Sequence, residues 1–229
     1  NLTVRNDGFS AFGADKKYGT FPSVGLGWAV SQEKFMKNIS WINYLKLRLS
    51  WGKNGNRGID SYTSLSNMDL TQFVYGDGGS SSIGLYPTSM ANPDLGWETS
   101  SSYNLGVDFS VFNSRISGAL DVYTTKTTDL LLKVRIPNMS GYETFLSNIG
   151  ETSNKGIEIT INTENIKTKD FSWNSTLVFS SNFNKILHLT GEDLNGDGKE
   201  DDDLASKWFI GYSLGSNYDY VFDGIWQEG

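Results

Sequence analysis

Apolar and polar residues alternate along much of this chain. Val24, Leu26, Trp28 and Val30 alternate with Gly25, Gly27 and Ala29. Leu45, Leu47, Leu49 and Trp51 alternate with Lys46, Arg48, Ser50 and Gly52. Tyr103, Leu105, Val107, Phe109 and Val111 alternate with Asn104, Gly106, Asp108 and Ser110, and Ile157, Ile159 and Ile161 alternate with Glu158, Thr160 and Asn162. Phe171, Trp173, Leu177, Phe179 and Phe183 share a parity opposite to Ser172, Asn174, Thr176, Ser180 and Asn182. Period two places such residues on opposite faces of a strand. Further strands are expected over Leu2–Phe9, Ile116–Thr127 and Tyr212–Trp226, about eight in all. Helical spacing is confined to Gln32–Asn43, where Phe35, Met36 and Ile39 suit a short helix or turn.

One apolar and one polar face fit either a membrane barrel or a water-soluble sandwich. The connections separate the two. Asn113-Ser114-Arg115 and Glu164–Asp170 are short, whereas Lys53–Ser100, Asp129–Asn154 and Leu187–Lys207 are long. Outer-membrane barrels alternate short periplasmic turns with long external loops. Loops beyond ~15 residues are uncommon in compact soluble domains. Trp28, Trp41, Tyr44, Trp51, Trp173 and Trp226 fall near expected strand ends, where amphipathic rings suit a membrane–water boundary. Many positions on the polar face are Gly, Ser, Ala or Asn, too small to fill a narrow barrel, so these strands suit one arc of a wide barrel.

Composition narrows the partners. The 229 residues carry a net charge of −7, which disfavours nucleic acid. There is no cysteine, hence no disulfide or thiol chemistry. Gly (25) and aromatics (14%) are abundant and Pro (4) is scarce, as suits a long antiparallel sheet. No apolar run reaches the ~20 residues of a membrane helix, a test that says nothing against a barrel.

Several segments then form an ordered series. Val4–Gly13 (VRNDGFSAFG) and Lys17–Val24 (KYGTFPSV) come first. Leu45–Asn56 (LKLRLSWGKNGN), Asn92–Glu98 (NPDLGWE), Asn148–Glu151 (NIGE) with Asn154–Glu158 (NKGIE), and Phe222–Gln227 (FDGIWQ) follow. The series resembles the SusC/RagA-like TonB-dependent transporters of the bacterial outer membrane, over nearly the whole chain. Phe9 and Ala11 depart from the Ser and Arg usual in the first block. The resemblance implies an all-β fold, an antiparallel transmembrane β-barrel of which this chain is a C-terminal part. About eight strands would belong to a ~22-stranded plugged barrel. Residues 1–229 would form part of a single barrel domain, with the plug, the TonB-contact segment and earlier strands outside it. It further implies import of oligosaccharides or oligopeptides, a SusD-like lipoprotein over the mouth, and energy from the TonB complex.

Candidate chemistry is sparse. Tyr62, Phe73, Tyr75, Tyr86 and Trp97 lie in the longest connection, placed either to stack on glycan or peptide cargo or to pack loops and lid. Asp193, Asn195, Asp197, Lys199 and Asp201 match the first part of a calcium loop, with Gly198 at the sharp turn. Leu204 stands where the bidentate Glu should be, so calcium and a plain solvated acidic loop both remain open. His188 is the single histidine and has no nucleophile motif beside it. Gly52–Gly58 lacks the phosphate-loop pattern. Asp121, Asp129, Glu151 and Glu158 lie on different strands or loops, with nothing to pair them for glycoside hydrolysis. The expectation is therefore a transporter, not an enzyme, needing no cofactor. A soluble all-β carbohydrate-binding or adhesin module is the alternative.

Overall fold

The computed structural model describes residues 1–76, 78–136, 138–142, 144–219, 221–222 and 224. Its strands are β1 (Leu2–Gly8), β2 (Tyr18–Trp28), β3 (Ile42–Asn56), β4 (Met68–Tyr75), β5 (Ser80–Pro87), β6 (Glu98–Val111), β7 (Ile116–Thr128), β8 (Leu131–Arg135), β9 (Thr144–Asn148), β10 (Glu151–Lys167) and β11 (Ser172–His188). Seven form one antiparallel sheet in the order β1-β2-β3-β6-β7-β10-β11. β4–β5 and β8–β9 are separate hairpins set into long connections. β1 and β11 do not pair with each other, so the sheet is an open arc.

Register makes the alternation two-dimensional. Leu26, Leu49, Leu105, Val122 and Ile157 stand in one row across five strands. Trp28, Leu47, Val107, Leu120, Ile159 and Phe179 form the next. Among the described residues no second layer covers this face, and Leu26, Leu49, Leu105, Leu177 and Phe179 are at least half exposed. A water-soluble sandwich buries its apolar face against a partner sheet. Here that face is bare, as a lipid-facing wall requires.

The connections sort to two ends. The turns after β6 and β10 and the segment after β2 lie at one end. The β6–β7 turn puts Phe112, Asn113 and Ser114 in succession at φ 55°, 55° and 63°. Left-handed backbone matches the twist of a tight hairpin, although it is costly for a ring-bearing residue. Phe112 is held by stacking on Trp41 at 5.8 Å, and the Ser114 N–H donates to Asn43 Oδ1 at 3.0 Å. Trp28, Phe35, Phe171 and Trp173 also lie exposed at this end, completing an aromatic rim.

One expectation holds and another changes. The segment after Trp28 forms two 3-10 turns, Val30–Gln32 and Lys34–Met36, in keeping with the short helix or turn expected there. No strand occurs among the described residues of 212–226, whereas Tyr220, Asp223, Ile225 and Trp226 lie outside the described residues. Gly211, Gly215 and Gly224 adopt φ of 91°, 82° and 127°, which interrupts extended backbone. The chain touches the β11 edge instead. Gly211 N–H donates to the Ile186 carbonyl and Ile186 N–H to that of Tyr212, both at 2.9 Å. The main sheet accordingly has seven strands.

Candidate functional site

Two regions gather polar and aromatic side chains: the polar face of the sheet and the loops at the long-connection end. On the polar face, Gly27, Arg48, Gly106, Asp121, Glu158 and Ser180 form one row. Arg48 grips Asp108 with Nε and Nη2, both at 2.9 Å, and reaches over β6 to Asp121 at 2.8 Å. Gly106 makes that reach possible. A Cβ there would lie 2.6 Å from both Arg48 Cζ and Asp121 Oδ1. Fork geometry suits a guanidinium to two carboxylates, so three strands are tied together. Around this group the face is mostly Gly, Ser, Thr and Asn, with hydroxyl pairs Ser100–Thr127 at 2.8 Å and Ser102–Thr125 at 2.9 Å.

The long-connection end is built differently. Phe9, Phe12, Trp97 and Phe21 pack in series with ring centroids 5.1–5.4 Å apart. Arg5 lies over Phe21 and Arg57 over Phe9. Gly19 and Gly55 leave room for the Phe21 ring, which a Cβ at either would strike. Leu95 beside them is fully buried. Asn148 joins two connections. Its amide donates to the carbonyls of Gly96 (2.9 Å) and Asp129 (3.1 Å) and accepts from Gly96 N–H at 2.6 Å. Asn92 Nδ2 donates to the Leu146 carbonyl at 2.7 Å. The NPDLGWE and NIGE segments thus stitch loops to one another, a role that residue types alone do not reveal.

The expected loop aromatics separate. Trp97 is packed between Phe12 and Phe21, with Nε1 donating to the Lys17 carbonyl at 3.3 Å. Tyr62 is exposed and borders a cavity between the β1–β2 and β3–β4 connections. Phe73 and Tyr86 share one face of the β4–β5 hairpin, where Phe73 covers Gly84. Tyr75 pairs with Ser80 at the tip of that hairpin.

In the acidic loop, Asp193 accepts N–H groups from Gly196, Asp197 and Gly198. Asn195 Oδ1 accepts from Asp197, and Asp197 from Lys199. Asp201 accepts from Leu194 N–H and from Asn195 Nδ2. The loop therefore closes on its own backbone. Among the described residues no three His, Cys, Asp or Glu side chains are grouped to hold a metal ion. Beside it, Glu200 accepts N–H groups from Leu189 (2.6 Å) and Gly191 (2.7 Å) and faces His188 Nδ1 at 3.1 Å. Burial works against ionisation of Glu200. The Gly191 and Leu189 N–H groups and His188 outweigh it, holding the carboxyl below its ordinary value. Glu151 pairs with Lys126 at 2.7 Å, Asp121 with Arg48, and Gly52–Asn56 is strand rather than phosphate loop.

A bare apolar face, a polar face tied by ion pairs, and long loops gathered at one end are the parts of a barrel wall. The profile of the family described as "TonB dependent receptor-like, beta-barrel" matches residues 1–229. The chain belongs to that family. Among curated TonB-dependent receptors, it is 37% identical to SusC of Bacteroides thetaiotaomicron over 244 residues, covering 99% of the chain and 24% of SusC. It is 42% identical to TonB-dependent receptor P26 of Formosa agariphila over 192 residues, covering 84% of the chain and 19% of that receptor. Its fold matches a solved structure of the RagAB peptide transporter with a TM-score of 0.78 and 29% identity, over 92% of this chain and 22% of that one. The chain thus spans about a fifth to a quarter of the length of these TonB-dependent receptors. The SusC/RagA likeness read from its motifs holds.

Proposed function

We propose that residues 1–229 form part of the wall and external loops of an outer-membrane barrel that imports nutrients with energy from the TonB complex. The bare apolar face carries this reading. Turned to lipid it removes the need for a second layer, while the polar face lines a wide lumen. A soluble binding module would leave that face without cover. The cargo is proposed to be an oligosaccharide or oligopeptide, with a SusD-like lipoprotein as lid. The loop end supplies a rigid surface for both. No bond is made or broken in this function, so the ion pairs on the polar face serve structure and cargo passage rather than catalysis.

The test is extraction of the native polypeptide from its source membrane. A chain near ~100 kDa that needs detergent and brings a lipoprotein with it supports the proposal; the span of a strand wall sets the detergent requirement. A 25.4 kDa polypeptide released by buffer alone would return the soluble module to first place. Import needs no cofactor. Calcium at Asp193, Asn195, Asp197, Lys199 and Asp201 is an accessory proposal, supported if a chelator weakens cargo binding and removed if it does not.

A further inference from the structure

We propose that the cavity between the β1–β2 and β3–β4 connections is a subsite for an acidic sugar unit of a glycan cargo, an inference that rests on the importer reading. The cavity measures about 550 Å³, within the usual range for ligand pockets. Ser10, Phe12 and Lys17 line it from one connection, and Ser61, Tyr62 and Ser64 from the other.

The floor is rigid. Phe12 is buried, and Gly13 N–H donates to the Leu95 carbonyl at 2.8 Å. A Cβ on Gly13 would overlap the Pro93 carbonyl oxygen. Ser64 is only 7% exposed, yet its hydroxyl has no hydrogen-bond partner among the described residues. Its oxygen still reaches solvent, so the hydroxyl can exchange water for a ligand hydroxyl in the cavity. Tyr62 sits at φ 67° with its side chain exposed. A bulky residue in left-handed backbone is an outlier, and such strain gathers at ligand sites. Lys17 is half buried with no carboxylate within ion-pair distance among the described residues. Its carbonyl is fixed by the N–H groups of Phe9 and Trp97.

These groups define the ligand. An aromatic face and serine hydroxyls suit a pyranose ring, and the unpaired ammonium suits a carboxylate or sulfate on it. No Asp or Glu lines the cavity, so nothing there receives a cation. None of the lining residues lies in a strand, so the cavity offers no sheet edge to which an extended peptide could add.

The experiment is calorimetric titration of the intact transporter in detergent with tetragalacturonate, using maltotetraose and tetra-alanine as comparators. Lys17→Gln and Tyr62→Gly are each expected to weaken tetragalacturonate binding about tenfold, and Ser64→Ala about threefold, with unchanged thermal unfolding. Glycine suits φ 67°, so the Tyr62 variant removes the ring without adding strain. Maltotetraose binding should be weaker and indifferent to Lys17→Gln. Failure of the unaltered transporter to bind tetragalacturonate overturns the proposal, as does binding that all three substitutions leave alone. Tetra-alanine binding lost in the same variants would also overturn it and assign the cavity to peptide. TonB-dependent uptake of any cargo separates the two layers. Uptake that needs TonB with an indifferent cavity sinks only the subsite, whereas uptake independent of TonB sinks the importer reading.

Discussion

Leu49 and Leu95 both lie in segments that mark the family, yet Leu49 is 51% exposed on the sheet and Leu95 is fully enclosed among the loops. The sheet leaves its apolar residues bare, and the proposed barrel would cover them with lipid and neighbouring strands. The loop end encloses its own, with Phe12, Phe21, Leu95 and Trp97 forming a small core of the kind found in water-soluble proteins. In an aqueous setting the loop core has a hydrophobic driving force of its own. The wall has one only when something else removes its apolar face from water.

The largest expected effect comes from removing that cover. The chain alone, at 25.4 kDa, exposes two sheet edges and the whole apolar face, so it is expected to aggregate in buffer. A soluble monomer with a cooperative melt would erase the distinction between the two regions. Next is Trp97→Ala in the intact receptor, expected to cost about 3–5 kcal/mol, as for loss of a well-packed aromatic. Denaturant unfolding followed by loop-specific proteolysis measures it, and a cost under about 1 kcal/mol would mean that the loop core adds little. Leu49→Arg follows, at about 2–4 kcal/mol for a charge on the face proposed to meet lipid. Ser50→Arg, one residue on and on the polar face, should cost far less when both are refolded into bilayers. Equal costs would contradict the assignment of faces.

The smallest effect is a pH dependence at the loop end. The Glu200 carboxyl is held below its ordinary 4.5, so its stabilisation is complete above that value and fades as pH falls through the lowered one. The intact receptor should therefore melt above its Glu200→Gln variant at pH 7, and the gap should close in acid. A gap that persists after full protonation would assign the effect to shape instead of charge.

The strands were legible because period-two alternation is a local property. Arg48 shows how far that reaches. Its parity assigns it to the polar face, but its bond to Asp121 depends on a register that brings residues 73 positions apart together and on the open space at Gly106. The β4–β5 and β8–β9 hairpins were hidden inside connections whose mixed residues carry weak alternation. The Tyr212–Trp226 expectation relied on aromatics common to strands and loops. Glycines at positive φ bend that segment away from extended backbone, and its Tyr212 and Tyr218 pack on Phe209 at 6.4 and 5.0 Å. Among the candidate ring contacts, Trp97 and Tyr62 look alike along the chain. One is locked in the loop core while the other faces the cavity.

The sequence by itself determined the strand faces, the sorting of short and long connections to two ends, and the family. Each follows from spacing along the chain or from ordered motifs. Only the tertiary structure decided which motif residues stitch loops, which aromatic is left exposed, and that Ser64 and Lys17 line one cavity. Those facts depend on side chains that approach across tens of residues, and proximity of that kind leaves no period in the sequence to read.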